Sequence, residues 1–293
     1  MHGTGWPIRG PAMVSKEIMA PPPPVARVQP KLVTHSGTSI GARAVPEETA
    51  VAFTYGSATF AVMMATPQDI EDFAIGFSLT EGIIESQPEI ASIEVIAHEQ
   101  GIEARMALAC ARDKQLLSRR RQLAGPAGCG LCGIESLEAA VRPPRDVKAQ
   151  LRIDVDILFA AVGSLREHQR LNTMTKAVHA AGFWSAGENR FVAVREDVGR
   201  HNALDKLAGA LACTGTDPAS GFIVLSSRLS IELVQKAATI GCPMLVAVSA
   251  PTNFALRAAE AAGMTLIAVA REDSFEIFTH PQRVVMTAPD EAR

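Results

Sequence analysis

Cysteine is scarce in this chain and odd in number, with residues at positions 110, 129, 132, 213 and 242 of 293. A disulfide-stabilised scaffold needs a denser, even set, so that class of protein is excluded. A structural zinc site would need a second close pair of ligands beside Cys129 and Cys132, and the sequence has none. A zinc site at these cysteines would therefore form only if the fold brought histidines to the two thiols. We expect no permanently bound metal.

Long apolar runs and an excess of positive charge are missing as well. No run approaches the ~20 apolar residues of a membrane span, and the first residues lack the apolar core of a secretory signal. The formal net charge of -3 argues against non-specific nucleic-acid binding. We therefore expect a cytoplasmic protein with no membrane and no nucleic-acid partner.

The length predicts two domains. Residues 1–30 are proline-rich and aperiodic, which predicts a disordered tail. Residues 31–145 predict a smaller α+β domain with hairpins at 51–64 and 93–110. Between them, Thr66-Pro67-Gln68-Asp69 resembles a helix start, with a cap, a proline at the first helical position and an acid. Residues 146–293 alternate strands, among them 222–225 and 244–248, with helices, among them 253–262, which predicts an α/β domain with a mostly parallel or mixed sheet and helices on both faces.

Two thiols stand three positions apart in a segment of glycine, proline and small residues, Gly125 to Gly133. Such a segment predicts a mobile loop whose reactive groups are Cys129 and Cys132. A helix predicted over 112–124 carries three arginines in its last turns, and a second is predicted over 134–141. The arginines suit the negative end of a helix, but they would also favour the thiolate form of the nearby cysteines.

Hydroxyls and arginines follow several predicted strands, where the carboxyl ends of strands share one ligand-binding edge. The residues are Arg195, Asp197, Arg200, His201, Ser227, Arg228, Ser249, Thr252 and Arg271. Serine and threonine there are often ordinary helix caps. Arginines oppose the positive end of a helix, however, so they favour an anionic partner, and the set predicts a site for a phosphorylated ligand of nucleotide size.

His179 lies beside the same edge. A zinc deaminase would need His-x-Glu followed by Pro-Cys-x-x-Cys. The sequence here reads His179-Ala180-Ala181, and its Cys-x-x-Cys comes earlier in the chain, so deaminase chemistry is excluded. His179 is then either a hydrogen-bonded core residue or a ligand contact.

The chain resembles the formate dehydrogenase accessory sulfurtransferases, the FdhD proteins, from about Val45 to Arg283. The matching stretches begin at Thr66 (TPQDIEDFAIGF), Gly128 (GCGLCG), Arg195 (REDVGRHNALDK), Ser227 (SRLS), Ser249 (SAPT) and Thr279 (THP). Lys176-Ala177 stands where the family usually has small, glycine-like residues, and the turn at 269–273 is more acidic than the family's usual turn.

This resemblance implies a sulfur carrier that accepts sulfur from a cysteine desulfurase as a persulfide. It would transfer the sulfur to the molybdenum cofactor, in its bis(molybdopterin guanine dinucleotide) form, for formate dehydrogenase. It also implies a cytidine-deaminase-like C-terminal fold and a homodimer. Cys129 would carry the persulfide, with Cys132 as the second thiol. The implied cofactor contacts are Val269, Ala270, Arg271, Glu272, Asp273 and Ser274.

Two other functions fit the same cysteines. A thiol-disulfide oxidoreductase would form a stable disulfide between Cys129 and Cys132 and would need no nucleotide site. A chaperone would shelter the cofactor without carrying sulfur.

Overall fold

Residues 20–109 and 143–286 are described by the computed structural model of this protein, and we call these segments the N-terminal part and the C-terminal part. The strands of the N-terminal part are β1 (Val25–Val28), β2 (Lys31–Thr34), β3 (Gly37–Ile40), β4 (Arg43–Pro46), β5 (Thr49–Tyr55), β6 (Ala58–Ala65), β7 (Ile90–His98) and β8 (Gly101–Leu108). Its α-helix is α1 (Ile70–Thr80).

A four-stranded sheet in the order β6-β5-β8-β7 carries α1 on one face. The two predicted hairpins are confirmed as the antiparallel pairs β5-β6 and β7-β8. The buried rings of Phe73 and Phe77 lie 4.8 and 4.4 Å from that of Phe53, centroid to centroid. This face of α1 is therefore core, because buried aromatic side chains contribute strongly to the packing energy of a core.

The predicted tail is wrong for part of its length. Residues Val25–Val28 form β1, which pairs antiparallel with β4, although the prediction placed residues 1–30 in a disordered tail. The flanking prolines stand where they cost no ladder hydrogen bond, and the carbonyls of Pro24 and Pro30 accept from Glu47 and Gly41. A strand of four residues between prolines is too short to show an alternating pattern.

The helix start predicted at Thr66 is also wrong. Helix α1 begins at Ile70, and Asp69 precedes it at a φ of 54° without a side-chain cap. Thr66 instead bonds to the C-terminal part, because its N–H donates to Asp197 Oδ2 and its hydroxyl accepts from the N–H of Val198. A long-range contact has replaced the local cap.

The C-terminal part has the strands β9 (Ile153–Asp154), β10 (His179–Ser185), β11 (Arg190–Asp197), β12 (Gly221–Leu225), β13 (Met244–Ala247), β14 (Thr265–Ala268), β15 (Glu276–Ile277) and β16 (Val284–Val285). Its α-helices are α2 (Val155–Ser164), α3 (Arg170–Thr175), α4 (Arg200–Thr214), α5 (Ile231–Thr239) and α6 (Asn253–Ala262). Short 3-10 turns lie at Gln87–Glu89, Leu165–His168, Pro218–Ser220 and Pro281–Arg283.

The central sheet is mixed, in the order β11-β10-β12-β13-β14-β15. Only β12-β13 and β13-β14 pair parallel, while β10 runs antiparallel to both β11 and β12. Helices α4, α5 and α6 cover one face and α2 covers the other. The predicted α/β class and the covered faces are confirmed, whereas a likeness to cytidine deaminases stays a prediction.

Helices α1 and α4 cross in direct backbone contact. A β-carbon added to Gly76 would lie 1.7 Å from the carbonyl oxygen of Asp205, and one added to Gly209 would lie 1.9 Å from that of Asp72. Only glycine permits such an approach. The N-terminal part is therefore packed tightly onto the helix that follows β11.

Several sequence predictions fall outside the described residues. They are the tail before residue 20, Cys110, the helices at 112–124 and 134–141, and the loop with Cys129 and Cys132. In the part of the chain that the structure describes, no helix is long and apolar enough to cross a membrane.

Candidate functional site

The carboxyl ends of β12, β13 and β14 meet at one edge, as the alternating pattern predicts. The loop after β12 touches the loop after β13, because the N–H of Thr252 donates to the carbonyl of Leu229 at 2.9 Å. The loop after β13 touches the one after β14, where the N–H of Val269 donates to the carbonyl of Ser249 at 3.3 Å. The predicted residues of these loops therefore lie side by side.

Strand β10 runs in the opposite direction and brings its first residue, His179, to the same edge. The N–H of Ala180 donates to Ser226 Oγ at 2.8 Å, and His179 pairs across the sheet with Asp197, the last residue of β11. Burial, and then the charges of Arg200 and His201, lower the pKa of His179 below its usual value. The imidazole of His179 is therefore neutral at neutral pH.

The start of α5 contributes two residues that the sequence analysis missed, Ser230 and Glu232. His201 Nε2 lies 3.7 Å from Glu232 Oε2, and this neighbour, with a smaller contribution from Ser230, lowers the pKa of Glu232 to about 2. A serine followed by an acid at a helix start resembles an ordinary cap, so the sequence gives no separate signal for them.

Unpaired buried polar atoms concentrate between the first turns of α4 and α5. Among the described residues, Arg200 Nε and Ser230 Oγ are inaccessible to solvent and have no hydrogen-bond partner, and His201 Nε2 and Glu232 Oε2 are equally inaccessible and contact each other only as an ion pair at 3.7 Å, beyond hydrogen-bonding distance. Most buried polar atoms of a folded protein are paired. This concentration of unpaired donors and acceptors sets the edge apart from a purely structural surface.

Two predicted ligand contacts, Arg195 and Asp197, have partners within the chain. Arg195 donates through Nε to Asp72 Oδ2 at 2.8 Å, and its Nη2 lies 2.7 Å from the same oxygen. Asp197 is fully buried and lies 2.7 Å from Lys206 Nζ, which is also fully buried. The anionic partner expected for Arg195 is thus a carboxylate of α1. A contact of either residue with a ligand stays a prediction.

The remaining predicted residues differ in whether their side chains already have hydrogen-bond partners within the protein. Thr252 accepts from the N–H of Ala255 and so acts as the cap of α6. Ser227 is buried and donates to the carbonyl of Arg228. The side chains of Arg228 and Ser249 are exposed at this edge. Exposed cationic and hydroxyl groups next to helix starts suit an oxyanion.

The turn after β14 is strained at its first residue. Val269 has a φ of 53°, a conformation that a β-branched residue rarely adopts. Ala270 is buried, and Arg271 closes the turn by donating to the carbonyls of Val248 and Ala270 at 2.6 and 2.8 Å. Glu272, Asp273 and Ser274 are exposed. Backbone strain of this kind clusters at ligand sites.

A second buried ion pair joins α5 to the N-terminal part. Lys236 Nζ lies 2.9 Å from Asp205 Oδ1 and 2.8 Å from Glu81 Oε1, and Thr80 donates to Asp205 at 2.6 Å. Burial alone would lower the pKa of Lys236, but the charges of Asp205 and Glu81 raise it above its usual value. Within residues 20–109 and 143–286, no group of His, Cys, Asp or Glu is arranged to hold a metal ion.

Comparison with known proteins shows to which family the chain belongs. A sequence profile described as the FdhD/NarQ family matches residues 46–285. The chain belongs to the FdhD/NarQ family. Relatives named sulfur carrier protein FdhD occur in Agrobacterium fabrum, 52% identical over 84% of this chain and 91% of the relative, and in Brucella abortus, 50% identical over 85% and 93%.

A solved structure of the same fold comes from Desulfotalea psychrophila. It is described as a formate dehydrogenase accessory protein and is 22% identical, with a TM-score of 0.69 over 90% of this chain and all of that chain. Its similarity supports the fold. The family resemblance seen in the sequence motifs is thus confirmed.

Proposed function

We propose that this protein is a sulfurtransferase that carries sulfur as a persulfide on Cys129. The observation that carries this proposal is the match to relatives named sulfur carrier protein FdhD, 52% identical over 84% of the chain, a span that includes the Cys-x-x-Cys segment at 129–132. In the sequence, three arginines at 119–121 precede the thiol pair, and positive charge of this kind would favour the thiolate form.

Loading and relay between the two thiols need no net oxidation, and delivery of the sulfur to the cofactor as sulfide would draw two electrons from the thiol pair, which closes to a disulfide as the sulfur leaves. The Cys129 thiolate attacks the outer sulfur of a desulfurase persulfide, a new S–S bond forms on Cys129, and the desulfurase leaves as a thiolate. The same exchange passes the sulfur from Cys129 to Cys132, so Cys132 is the second thiol of the relay.

The recipient in this proposal is the molybdenum cofactor in its bis(molybdopterin guanine dinucleotide) form, held as a substrate before its insertion into formate dehydrogenase. Support comes from the edge at β12–β14, where the exposed Arg228 and Ser249 lie near the starts of α5 and α6. Pyrophosphate oxygens bind readily at such positions. Contacts with His179, Arg200, His201 and the turn at 269–274 belong to the same proposal.

The partners follow from this function. The proposal names a cysteine desulfurase as sulfur donor and formate dehydrogenase as recipient, with a homodimer acting in the cytoplasm. Sedimentation velocity of the purified chain tests the dimer, since a monomer at micromolar concentration would contradict it.

The loading step can be tested by mass spectrometry. Incubation with a cysteine desulfurase and cysteine should add ~32 Da to the peptide that contains Cys129. Labelling only of peptides that contain Cys110, Cys213 or Cys242 would reject the assignment.

A single variant separates the carrier from its rivals. Cys129→Ala should abolish formate dehydrogenase activation and leave GDP binding intact. A variant that still activates would favour the chaperone, and a stable disulfide between Cys129 and Cys132 in wild-type protein that cannot be loaded would favour the oxidoreductase.

A further inference from the structure

We propose that Asp197 is a positioning residue that fixes the first turn of α4 to the N-terminal part. The inference rests on the proposed function, because that turn carries Arg200 and His201, two of the proposed contacts to the guanine dinucleotide. This role replaces the predicted contact of Asp197 with the ligand, because both of its oxygens accept hydrogen bonds within the chain, and it makes the nucleotide site depend on the docked N-terminal part.

One oxygen of Asp197 organises the helix start. Asp197 Oδ1 accepts from the N–H of Gly199 at 2.8 Å and from Asn202 Nδ2 at 2.9 Å. Gly199, the residue before α4, has no side chain that could cap the helix. A carboxylate two residues earlier therefore does the work of a cap and sets the backbone on which Arg200 and His201 stand.

The other oxygen of Asp197 is held from the N-terminal part. Asp197 Oδ2 accepts from the N–H of Thr66 at 2.9 Å, and Lys206 Nζ lies 2.7 Å from the same oxygen. Lys206 also donates to the carbonyl of Thr66 at 2.8 Å, and Asn202 donates to the carbonyl of Met64 at 2.8 Å. The turn between β6 and α1 is thus bonded directly to the start of α4.

The hydrogen-bonded cluster around Asp197 is buried, so its geometry tolerates little change. Thr66, Asp197 and Lys206 all have 0% exposure, so water cannot replace a lost partner. A charge-assisted hydrogen bond in such a site is both strong and directional. A shift of the turn at Thr66 would therefore move the start of α4 rather than be absorbed by solvent.

A purely structural role is the alternative, and the chain provides a matched control. Asp205 and Lys236 form a second buried pair within the C-terminal part, and this pair also bonds to the N-terminal part. Their contacts, to Thr80 and Glu81, lie at the other end of α1. Loss of the second pair weakens the same interface without removing any bond to the start of α4.

The experiment compares two double variants by GDP titration calorimetry of the full chain. Asp197→Ala/Lys206→Met and Asp205→Ala/Lys236→Met each remove a carboxylate without leaving a buried ammonium unpaired. We expect the first to weaken GDP binding by roughly tenfold or more, equivalent to misplacing one charge-assisted contact. The second should bind GDP as wild type does.

A milder variant keeps the test open if the first double variant does not fold. Asn202→Ala removes one donor to Asp197 and the bond to Met64, and it should weaken GDP binding to a smaller extent. As a second measurement, the imidazole NMR signal of His201, assigned with His201→Gln, should shift in Asp197→Ala/Lys206→Met and stay in place in Asp205→Ala/Lys236→Met.

The outcomes separate the inference from the function it rests on. Wild-type affinity in folded Asp197→Ala/Lys206→Met, or in Asn202→Ala where only that variant folds, would overturn the positioning role. Equal losses in both double variants would also overturn it, because they would reflect general loosening of the interface. A wild-type protein that does not bind GDP would instead reject the proposed nucleotide site.

Discussion

Replacement of Gly76 by alanine should destabilise the protein strongly. The added methyl would lie 1.7 Å from the carbonyl oxygen of Asp205 and 2.7 Å from the amide nitrogen of Gly209. Helices α1 and α4 would have to separate by about 1.5 Å to restore an ordinary carbon–oxygen contact of about 3.3 Å. Backbone atoms stand on the opposing side, so no side-chain rotation can relieve the clash.

The magnitude follows from what the separation breaks. Overpacking of a core costs about 1–3 kcal/mol. The bond from Thr80 to Asp205, 2.6 Å long and buried, would be stretched beyond hydrogen-bonding distance, at a further cost of about 1.5–3 kcal/mol. We therefore expect Gly76→Ala to lower the free energy of unfolding by about 2.5–6 kcal/mol.

The matched control is another helical glycine, Gly163 in α2. A methyl there would lie 3.8 Å from its nearest neighbour, Glu272 Cγ, which is an ordinary contact. Gly163→Ala should stabilise the protein by about 0.5–1 kcal/mol through its helix propensity. Urea unfolding followed by circular dichroism measures both. An unchanged midpoint for Gly76→Ala would refute the close helix crossing.

Three further predictions concern stability. Lys176 is exposed at a φ of 57°, so Lys176→Gly should stabilise by about 1 kcal/mol in urea unfolding, whereas Thr173→Gly within α3 should destabilise by about 0.3–0.5 kcal/mol. A loss of stability in Lys176→Gly would contradict the left-handed turn. The stabilisation that wild type has over Glu232→Gln should be present above pH about 4.5 and vanish as the pH falls towards 2, because folding depresses that pKa; a pH-independent difference in thermal unfolding would contradict it. Lys236→Met should cost about 3–5 kcal/mol and regain most of it in Lys236→Met/Asp205→Ala, since the single variant strands a buried carboxylate; equal losses in urea would disprove the pairing.

Local patterns in the sequence predicted most of the elements correctly. The helix predicted over 253–262 coincides with α6, and the strands predicted at 222–225 and 244–248 lie within one residue of β12 and β13. Apolar periodicity and glycine turns determine these elements locally. The edge where they end followed from the alternation of strands and helices alone.

What the sequence did not reveal depends on contacts between distant residues. Thr66-Pro67-Gln68-Asp69 has the composition of a helix start, but its donors and acceptors are taken by Asp197 and Val198. No local sequence pattern predicts which carboxylate a buried lysine will pair with. The sequence did contain one indication that Lys206 is buried. Lys206 lies between the buried Ala203 and Ala210 on α4 and so falls on an apolar face of that helix.

The positive-φ residues explain one departure from the family pattern. Lys176 occupies a left-handed position at the end of α3, where a small, glycine-like residue would be free of strain. The side chain is exposed and can be tolerated there. The departure at this point is thus a matter of local backbone cost, and the strand that follows still delivers His179 to the edge.

Transfer of labelled sulfur is the decisive test of the proposed carrier role. The protein is loaded by a desulfurase with sulfur-35 from cysteine, freed of donor, and mixed with molybdenum bis(molybdopterin guanine dinucleotide). We expect the label to leave the wild-type protein and appear in the cofactor fraction, and we expect Cys129→Ala to transfer none. Label that remains on the protein after the cofactor has bound, or equal transfer by Cys129→Ala, would contradict it.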